Sequence, residues 1–97
     1  MEKIRAYEIA YVVNAELSPD ELTALKERFA ELAKQQGGEV GEITQWDRRR
    51  LAYPIRGKTE GIYVFMPLKA TAEAVAEVVR QLRLSEAVLR HLVVKQA

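Results

Sequence analysis

Hydrophobic and polar side chains alternate near the start of the chain, and this alternation predicts a β-strand. Between Ile4 and Val13 the segment is rich in β-branched and aromatic residues, which favour an extended backbone. Because successive side chains of a strand point to opposite faces, the segment separates into two sets. One set is Ile9, Tyr11 and Val13, and the other is Glu8, Ala10 and Val12.

After this segment the apolar spacing changes to three and four residues, which predicts an amphipathic helix. Ser18 has the position of an N-cap, Pro19 suits the first helical residue, and Glu21 completes a capping box. Gly37-Gly38 is interpreted as a helix stop, because glycine adopts the left-handed conformation that ends many helices. The apolar stripe of this helix is Leu22, Leu25, Phe29 and Leu32.

The middle of the chain is strand-like but less regular. Residues 39–55 change the parity of their apolar positions, which indicates a β-bulge. Residues 57–61, with a glycine at each end, are interpreted as a loop. Residues 62–68 form the next predicted strand, and Pro67 should lie near its end or at a bulge because proline donates no ladder hydrogen bond.

A second helix and a final strand complete the pattern. Thr71 can cap the helix, and residues 88–95 form the last strand. The order of these elements predicts an α+β, ferredoxin-like βαββαβ fold within one domain over residues 1–97. In that fold a four-stranded antiparallel sheet carries two helices on one face, and its other face is bare. The apolar stripe of the second helix is Val75, Val78, Val79 and Leu82.

The bare face is expected to be apolar and partly aromatic, as is typical of an interface. Tyr63 and Phe65 could contact a partner protein there, or they could stack on RNA bases. A homo-oligomer that uses this face is a further alternative. Since both sides of the third strand are hydrophobic, the opposite face assignment also stays open. The residues expected on the bare face are Ala10, Val12, Tyr63, Phe65, Leu92 and Val94.

Composition limits the chemistry available to the chain. Its 97 residues include no cysteine and one histidine, His91, and no hydrolase, zinc-protease or phosphate-loop motif occurs. We therefore expect no enzyme, no catalytic residue, no metal, no cofactor and no small-molecule substrate. His91 is interpreted as a structural side chain, with a contact to RNA or a partner as the alternative. The absence of a signal peptide or membrane span predicts a cytoplasmic protein that does not use a membrane.

One stretch, residues 47–61, concentrates positive charge around an apolar centre. The formal net charge of the chain is only +1, so any argument for nucleic-acid binding depends on where the charges lie. Such a patch can discourage edge-to-edge aggregation of a strand, and arginine can also bind phosphates and carboxylates. The cations are Arg48, Arg49, Arg50, Arg56 and Lys58, opposed by Asp47 and Glu60.

Within this stretch, RRRLAYPI followed closely by KTEGIY resembles the bacterial small-subunit ribosomal protein six family. The opening IRAYEIAYVVNAELSPDEL and the ending LRLSEAVLRHLVVK are also similar to that family, so the resemblance covers nearly the whole chain. It implies the ferredoxin-like fold and a non-enzymatic role on the ribosome. It further implies that the chain pairs with ribosomal protein eighteen. The pair would bind the central domain of small-subunit ribosomal RNA during subunit assembly.

The resemblance implies a protein-binding surface on the charged second strand, which corresponds to Arg49 and Arg50 here. To these two residues we add Tyr63 and Phe65 of the bare face, because exposed aromatic side chains favour an interface.

The RNA contacts of the family come from the start of the first strand and from the segment after YPI. These contacts correspond to Arg5, Tyr7, Arg56 and Lys58 in this chain. Two positions depart from the family pattern. Many members have a lysine at the position of Gly57, and Pro67 replaces a residue that could donate to the sheet.

Overall fold

The computed structural model describes residues 3–96, which form one antiparallel sheet with two helices. Strand β1 lies between β5 and β6, and β5 also pairs with β2, β3 and β4. The predicted βαββαβ order is confirmed. Neither helix is long and apolar enough to span a membrane. The elements are β1 (Arg5–Asn14), α1 (Pro19–Gln35), β2 (Glu39–Val40), β3 (Thr44–Gln45), β4 (Arg49–Ile55), β5 (Lys58–Ala70), α2 (Ala72–Leu84) and β6 (Val88–Lys95).

Both helices begin at the caps that the sequence predicts. Ser18 Oγ accepts a hydrogen bond from the Glu21 N–H at 3.1 Å, and the Glu21 carboxylate accepts from the Ser18 N–H at 2.9 Å. At α2, Thr71 Oγ1 accepts from the Ala74 N–H at 3.2 Å. After α1, Gly37 has a φ of 86°, a left-handed conformation that glycine adopts without a Cβ clash.

The core lies between the helices and one face of the sheet. Phe29 of α1 packs edge-on against Tyr11 of β1, with ring centroids 5.5 Å apart, and Leu82 of α2 is fully buried. The strand residues predicted to face the helices are at most 2% exposed, so the face assignment is confirmed. These residues are Ile9, Tyr11, Val13, Val64, Met66 and Leu68.

The predicted second strand is broken into the three segments β2, β3 and β4. From Val40 to Thr44 the chain advances four residues while β5 advances three, which is the predicted bulge. Pro67 lies opposite this interruption, and its carbonyl accepts from the Gly41 N–H at 2.9 Å. Its lack of an N–H therefore falls where the ladder is already irregular.

The prediction of a loop over residues 57–61 is wrong. Strand β5 begins at Lys58, and a two-residue turn of Arg56 and Gly57 joins it to β4. The φ values of the two turn residues are 49° and 78°, as in the type I′ turn, whose twist matches that of a hairpin. Residues 49–61, which comprise β4, the turn and the start of β5, are called the hairpin below.

Gly61 lets the hairpin approach the bare face closely. Val12 points to that face but is only 4% exposed, because residues of the hairpin cover it. A Cβ on Gly61 would lie 2.5 Å from Val12 Cγ1 and 3.5 Å from Leu51 Cδ2. This position therefore needs glycine. The sequence analysis expected Val12 on the bare face, where it could contribute to self-association. Its side chain is instead covered and cannot contribute to an exposed apolar surface.

We expect Gly61→Ala to lower the free energy of unfolding by about 1–3 kcal/mol, the usual effect of overpacking. The new methyl group would displace Val12 or press on the Val13 carbonyl oxygen, which is 3.2 Å away. Urea unfolding measures the loss, with the exposed Thr59→Ala on the same strand as a milder control. In the double variant Val12→Ala/Gly61→Ala, the change in the free energy of unfolding should differ strongly from the sum of the two single changes. Equal stability of Gly61→Ala and the parent chain would contradict this explanation.

Candidate nucleic-acid and partner interface

Arg56 clamps the tip of the hairpin to the body of the protein. From the turn, its guanidinium reaches the connection between α2 and β6. There it donates to the Glu86 carbonyl oxygen at 3.2 Å and to the Val88 carbonyl oxygen at 3.0 Å. Both acceptors are neutral carbonyl oxygens, so these hydrogen bonds do not balance the positive charge of Arg56. They use two of its five N–H donors.

Lys58 and Arg48 are each paired with a carboxylate. Lys58 Nζ donates to Glu16 Oε1, and Arg48 forms an ion pair with Glu60 at 3.5 Å. A second nitrogen of Arg48 donates to the Ala15 carbonyl oxygen at 2.9 Å. The hydrogen bond and charge of Lys58 lower the pKa of the Glu16 carboxyl. These contacts tie the β5 side of the hairpin and the residue before β4 to the turn between β1 and α1.

Arg49 and Arg50 point to different surfaces, as strand alternation predicts. The Arg49 guanidinium lies 4.4 Å from the centroid of the Trp46 ring, a cation–π contact on the bare face. Arg50 is exposed and lies opposite Glu60 in the strand register. Within residues 3–96 the Arg50 side chain forms no hydrogen bond or ion pair, so its charge is available to a partner.

Trp46, which the sequence analysis did not identify, joins the predicted partner residues into an aromatic cluster. Its ring centroid lies 5.7 Å from that of Tyr63 and 4.8 Å from that of Phe65. The backbone N–H of Trp46 donates to the Tyr63 carbonyl oxygen at 2.9 Å, which fixes the tryptophan beside β5. The side chain is still 46% exposed. Arg49, Trp46, Tyr63 and Phe65 therefore form one surface, called the aromatic cluster below.

Arg5 and Tyr7 lie at the opposite end of the sheet from Arg56 and Lys58. Strand β1 has ten residues, so its two ends are roughly 30 Å apart. The four residues predicted to bind RNA thus form two separate groups. Arg5 is exposed, whereas Tyr7 is partly buried against the core. Lys95 lies directly opposite Tyr7 and adds a cation that the sequence analysis missed.

His91 lies on β6, opposite Tyr11, and is partly exposed. Together with Arg83 and Arg56 it lines a shallow groove at the rim of the core. Burial, with a smaller contribution from the charge of Arg83, lowers the pKa of His91. The folded protein therefore favours the neutral imidazole, in line with a structural side chain at the edge of the core.

Three kinds of comparison with known proteins, by family model, by sequence and by structure, all find the same ribosomal protein. The family model described as "Ribosomal protein S6" matches residues 6–95. "Small ribosomal subunit protein bS6" of Carboxydothermus hydrogenoformans is 42% identical over 93 residues, covering 96% of this chain and 97% of that protein. The protein of the same name from Desulforamulus reducens is 37% identical over 93 residues, covering 96% and 98%. The crystal structure of 30S ribosomal protein S6 from Thermotoga maritima matches with a TM-score of 0.89 at 20% identity. The match covers 97% of this chain and 89% of that chain, and it supports the fold.

We expect Arg56→Ala to lower the free energy of unfolding by about 1–2 kcal/mol, because two charge-assisted hydrogen bonds are lost. Arg50→Ala is the matched control on the same hairpin, and it should change stability by less than about 0.5 kcal/mol. Urea unfolding of the two variants measures the difference. Equal effects would show that Arg56 is not a clamp.

The stability of the protein should fall as the pH is lowered through the ordinary histidine pKa of 6.5. Because the folded-state pKa of His91 is lower, the unfolded chain binds the proton first and gains stability in acid. His91 is the only histidine, so His91→Gln should weaken the pH dependence. Thermal unfolding of both proteins at about pH 7.5 and about pH 5.5 tests this. A constant difference between them at the two pH values would contradict it.

Proposed function

The chain belongs to the ribosomal protein S6 family, and on that premise we propose that it binds the central domain of small-subunit ribosomal RNA together with ribosomal protein eighteen. Membership makes it a constituent of the small ribosomal subunit, located on the ribosome in the bacterial cytoplasm. The family match over residues 6–95 is the observation that carries the proposal. The role is structural: complementary surfaces assemble the subunit, and no catalysis is involved.

The proposed contact with ribosomal protein eighteen uses the aromatic cluster and Arg50. Aromatic and arginine side chains contribute much of the binding energy in protein interfaces. Arg49 is already oriented over Trp46, so it can bind at a small loss of side-chain freedom. The contact between Trp46, Tyr63 and Phe65 supports a single continuous partner surface rather than separate points.

The proposed contact with RNA involves both ends of the sheet. Arg5 and Tyr7, with Lys95 beside them, serve one end, and Arg56 and Lys58 serve the other. An RNA that reaches both groups has to extend along the sheet. The net charge of the chain is +1, and Lys58 is paired with Glu16, so phosphate attraction by the chain alone is weak. Binding of the partner should complete the surface.

A gel-shift titration of a central-domain ribosomal RNA fragment tests this proposal directly. We expect a shift when this chain and ribosomal protein eighteen are both present, and little or none with this chain alone. Nanomolar binding by this chain alone at physiological salt would contradict the need for a partner. Failure of the protein pair to bind the fragment would refute the proposed function.

Substitutions distinguish the RNA contacts from the partner contact. Arg5→Ala should reduce the magnitude of the salt slope for RNA binding by the protein pair by roughly one, because one phosphate contact is lost. Arg49→Ala should instead weaken association of the two proteins in the absence of RNA. Lys34→Ala, at an exposed position of α1, is the charge control and should change neither. If Phe65→Ala weakens single-stranded RNA binding by this chain alone, base stacking replaces the partner contact.

Self-association through the bare face is the second candidate function. Leu92 and Val94 are 61% and 43% exposed on β6, and they continue the apolar surface next to the aromatic cluster. Light scattering at low micromolar concentration measures the oligomeric state. A stable oligomer that Leu92→Ser converts to a monomer would favour this candidate over the ribosomal partner.

A further inference from the structure

Glu16 contacts one of the residues proposed to bind RNA. Its Oε1 accepts the hydrogen bond of Lys58 Nζ, while the side chains of Lys58 and Glu16 are 39% and 70% exposed. The two residues line a cleft along the β5 side of the hairpin together with Arg48 and Glu60. One of the three N–H donors of the ammonium group is thus used and its charge is paired, but the ion pair faces solvent, where an incoming anion can reach it.

The backbone holds Glu16 at this position. Its N–H donates to Asn14 Oδ1 at 3.0 Å, and the Leu17 N–H donates to the Asn14 carbonyl oxygen at 3.2 Å. Asn14 is also the partner of Gly61 in the β1–β5 ladder, at the base of the hairpin. The sheet therefore fixes the distance between the segments that carry Glu16 and Lys58, and their contact follows from the fold.

The charges of this cleft balance one another. Two cations, Lys58 and Arg48, lie beside two carboxylates, Glu16 and Glu60. The hydrogen bond and charge of Lys58, and to a smaller extent the charge of Arg48, lower the pKa of the Glu16 carboxyl and so favour its charged form. The Glu16 carboxylate already uses one donor and balances the charge of Lys58, so it competes with a phosphate, which accepts the same kind of charge-assisted hydrogen bond.

We propose that Glu16 is an internal competitor for the phosphate site on Lys58 and lowers the RNA affinity of the free chain. This inference rests on the proposed RNA-binding function. A phosphate that binds Lys58 either displaces this carboxylate or binds beside its negative charge, which adds the same penalty to every RNA complex that uses Lys58. The chain alone, with few other cations available, does not offset this penalty. The protein pair offsets it, because its other RNA contacts make the exchange an intramolecular step.

The Glu16→Gln substitution removes the charge of this side chain and preserves its shape. We expect it to tighten binding of a central-domain ribosomal RNA fragment by about threefold to tenfold, which is at most one factor of ten in Kd. The effect should occur with this chain alone and with ribosomal protein eighteen present. The magnitude of the salt slope should rise by up to roughly one, because Lys58 then binds phosphate without releasing a carboxylate. Glu31→Gln, the same change at an exposed position of α1, is the control for net charge.

Lys58→Ala separates failure of this inference from failure of the proposed function. If Lys58→Ala leaves RNA binding by the protein pair unchanged, Lys58 is not an RNA contact and the inference is overturned together with that assignment. If Lys58→Ala weakens binding but Glu16→Gln does not tighten it beyond Glu31→Gln, the inference alone is overturned.

In the double variant Glu16→Gln/Lys58→Ala, the gain from Glu16→Gln should disappear. A gain that persists without Lys58 would mean that Glu16 simply repels RNA, which overturns the competitor role. Urea unfolding of each variant confirms that the comparison is made between folded proteins.

Discussion

Strand β1 is paired on both sides along most of its length, and the rest of the structure depends on this double pairing. Its register with β5 and β6 directs Ile9, Tyr11 and Val13 to the helices and leaves the opposite set for the bare face. A shift of one residue would turn the buried set to solvent, so the register is strongly specified. One strand thereby organises the core, the partner surface and the two ends that carry cations.

The cations of the hairpin form contacts within the protein, and they differ in how easily those contacts can be broken. Arg56 is bound to two backbone carbonyls that have fixed positions, and its remaining donors can still face a phosphate. The Lys58–Glu16 pair is exposed, and exposed ion pairs contribute little to stability because water and salt screen them. Breaking that pair therefore disturbs the fold little. Because its ion pair is exposed, Lys58 can exchange Glu16 for another anion. Arg56 instead keeps its hydrogen bonds to the two backbone carbonyls.

Local patterns in the sequence were sufficient for the helices and their caps, and they favoured the observed faces of the central strands without excluding the opposite ones. Each depends on residues within one or two turns of the chain, as the Ser18 and Glu21 capping box shows. The hairpin turn was missed because Gly57 and Gly61 together suggested a loop. Gly61 is required instead by its contact with Val12, which only the pairing of β1 with β5 creates.

The functional contacts were less accessible to sequence reasoning because they join distant segments. Trp46 stands in an irregular strand without periodicity, and its contacts with Tyr63 and Phe65 depend on the pairing of β3 with β5. A lone tryptophan among polar neighbours was the only available signal. Glu16 and Lys58 are 42 positions apart, and no local pattern relates them. The family resemblance supplied residues for RNA binding but not their division between opposite ends of the sheet.

That division explains why a second protein is useful in the proposed complex. In that complex, two small groups of cations roughly 30 Å apart would each bind RNA weakly, but one RNA that contacted both would gain from the high effective concentration of the second contact. The aromatic cluster lies on the sheet face between these groups. A partner bound to the aromatic cluster would lie between the two groups of cations and would present its own surface to the same RNA. In the proposed complex, this arrangement would couple protein pairing to RNA binding through the positions of the two surfaces on one sheet.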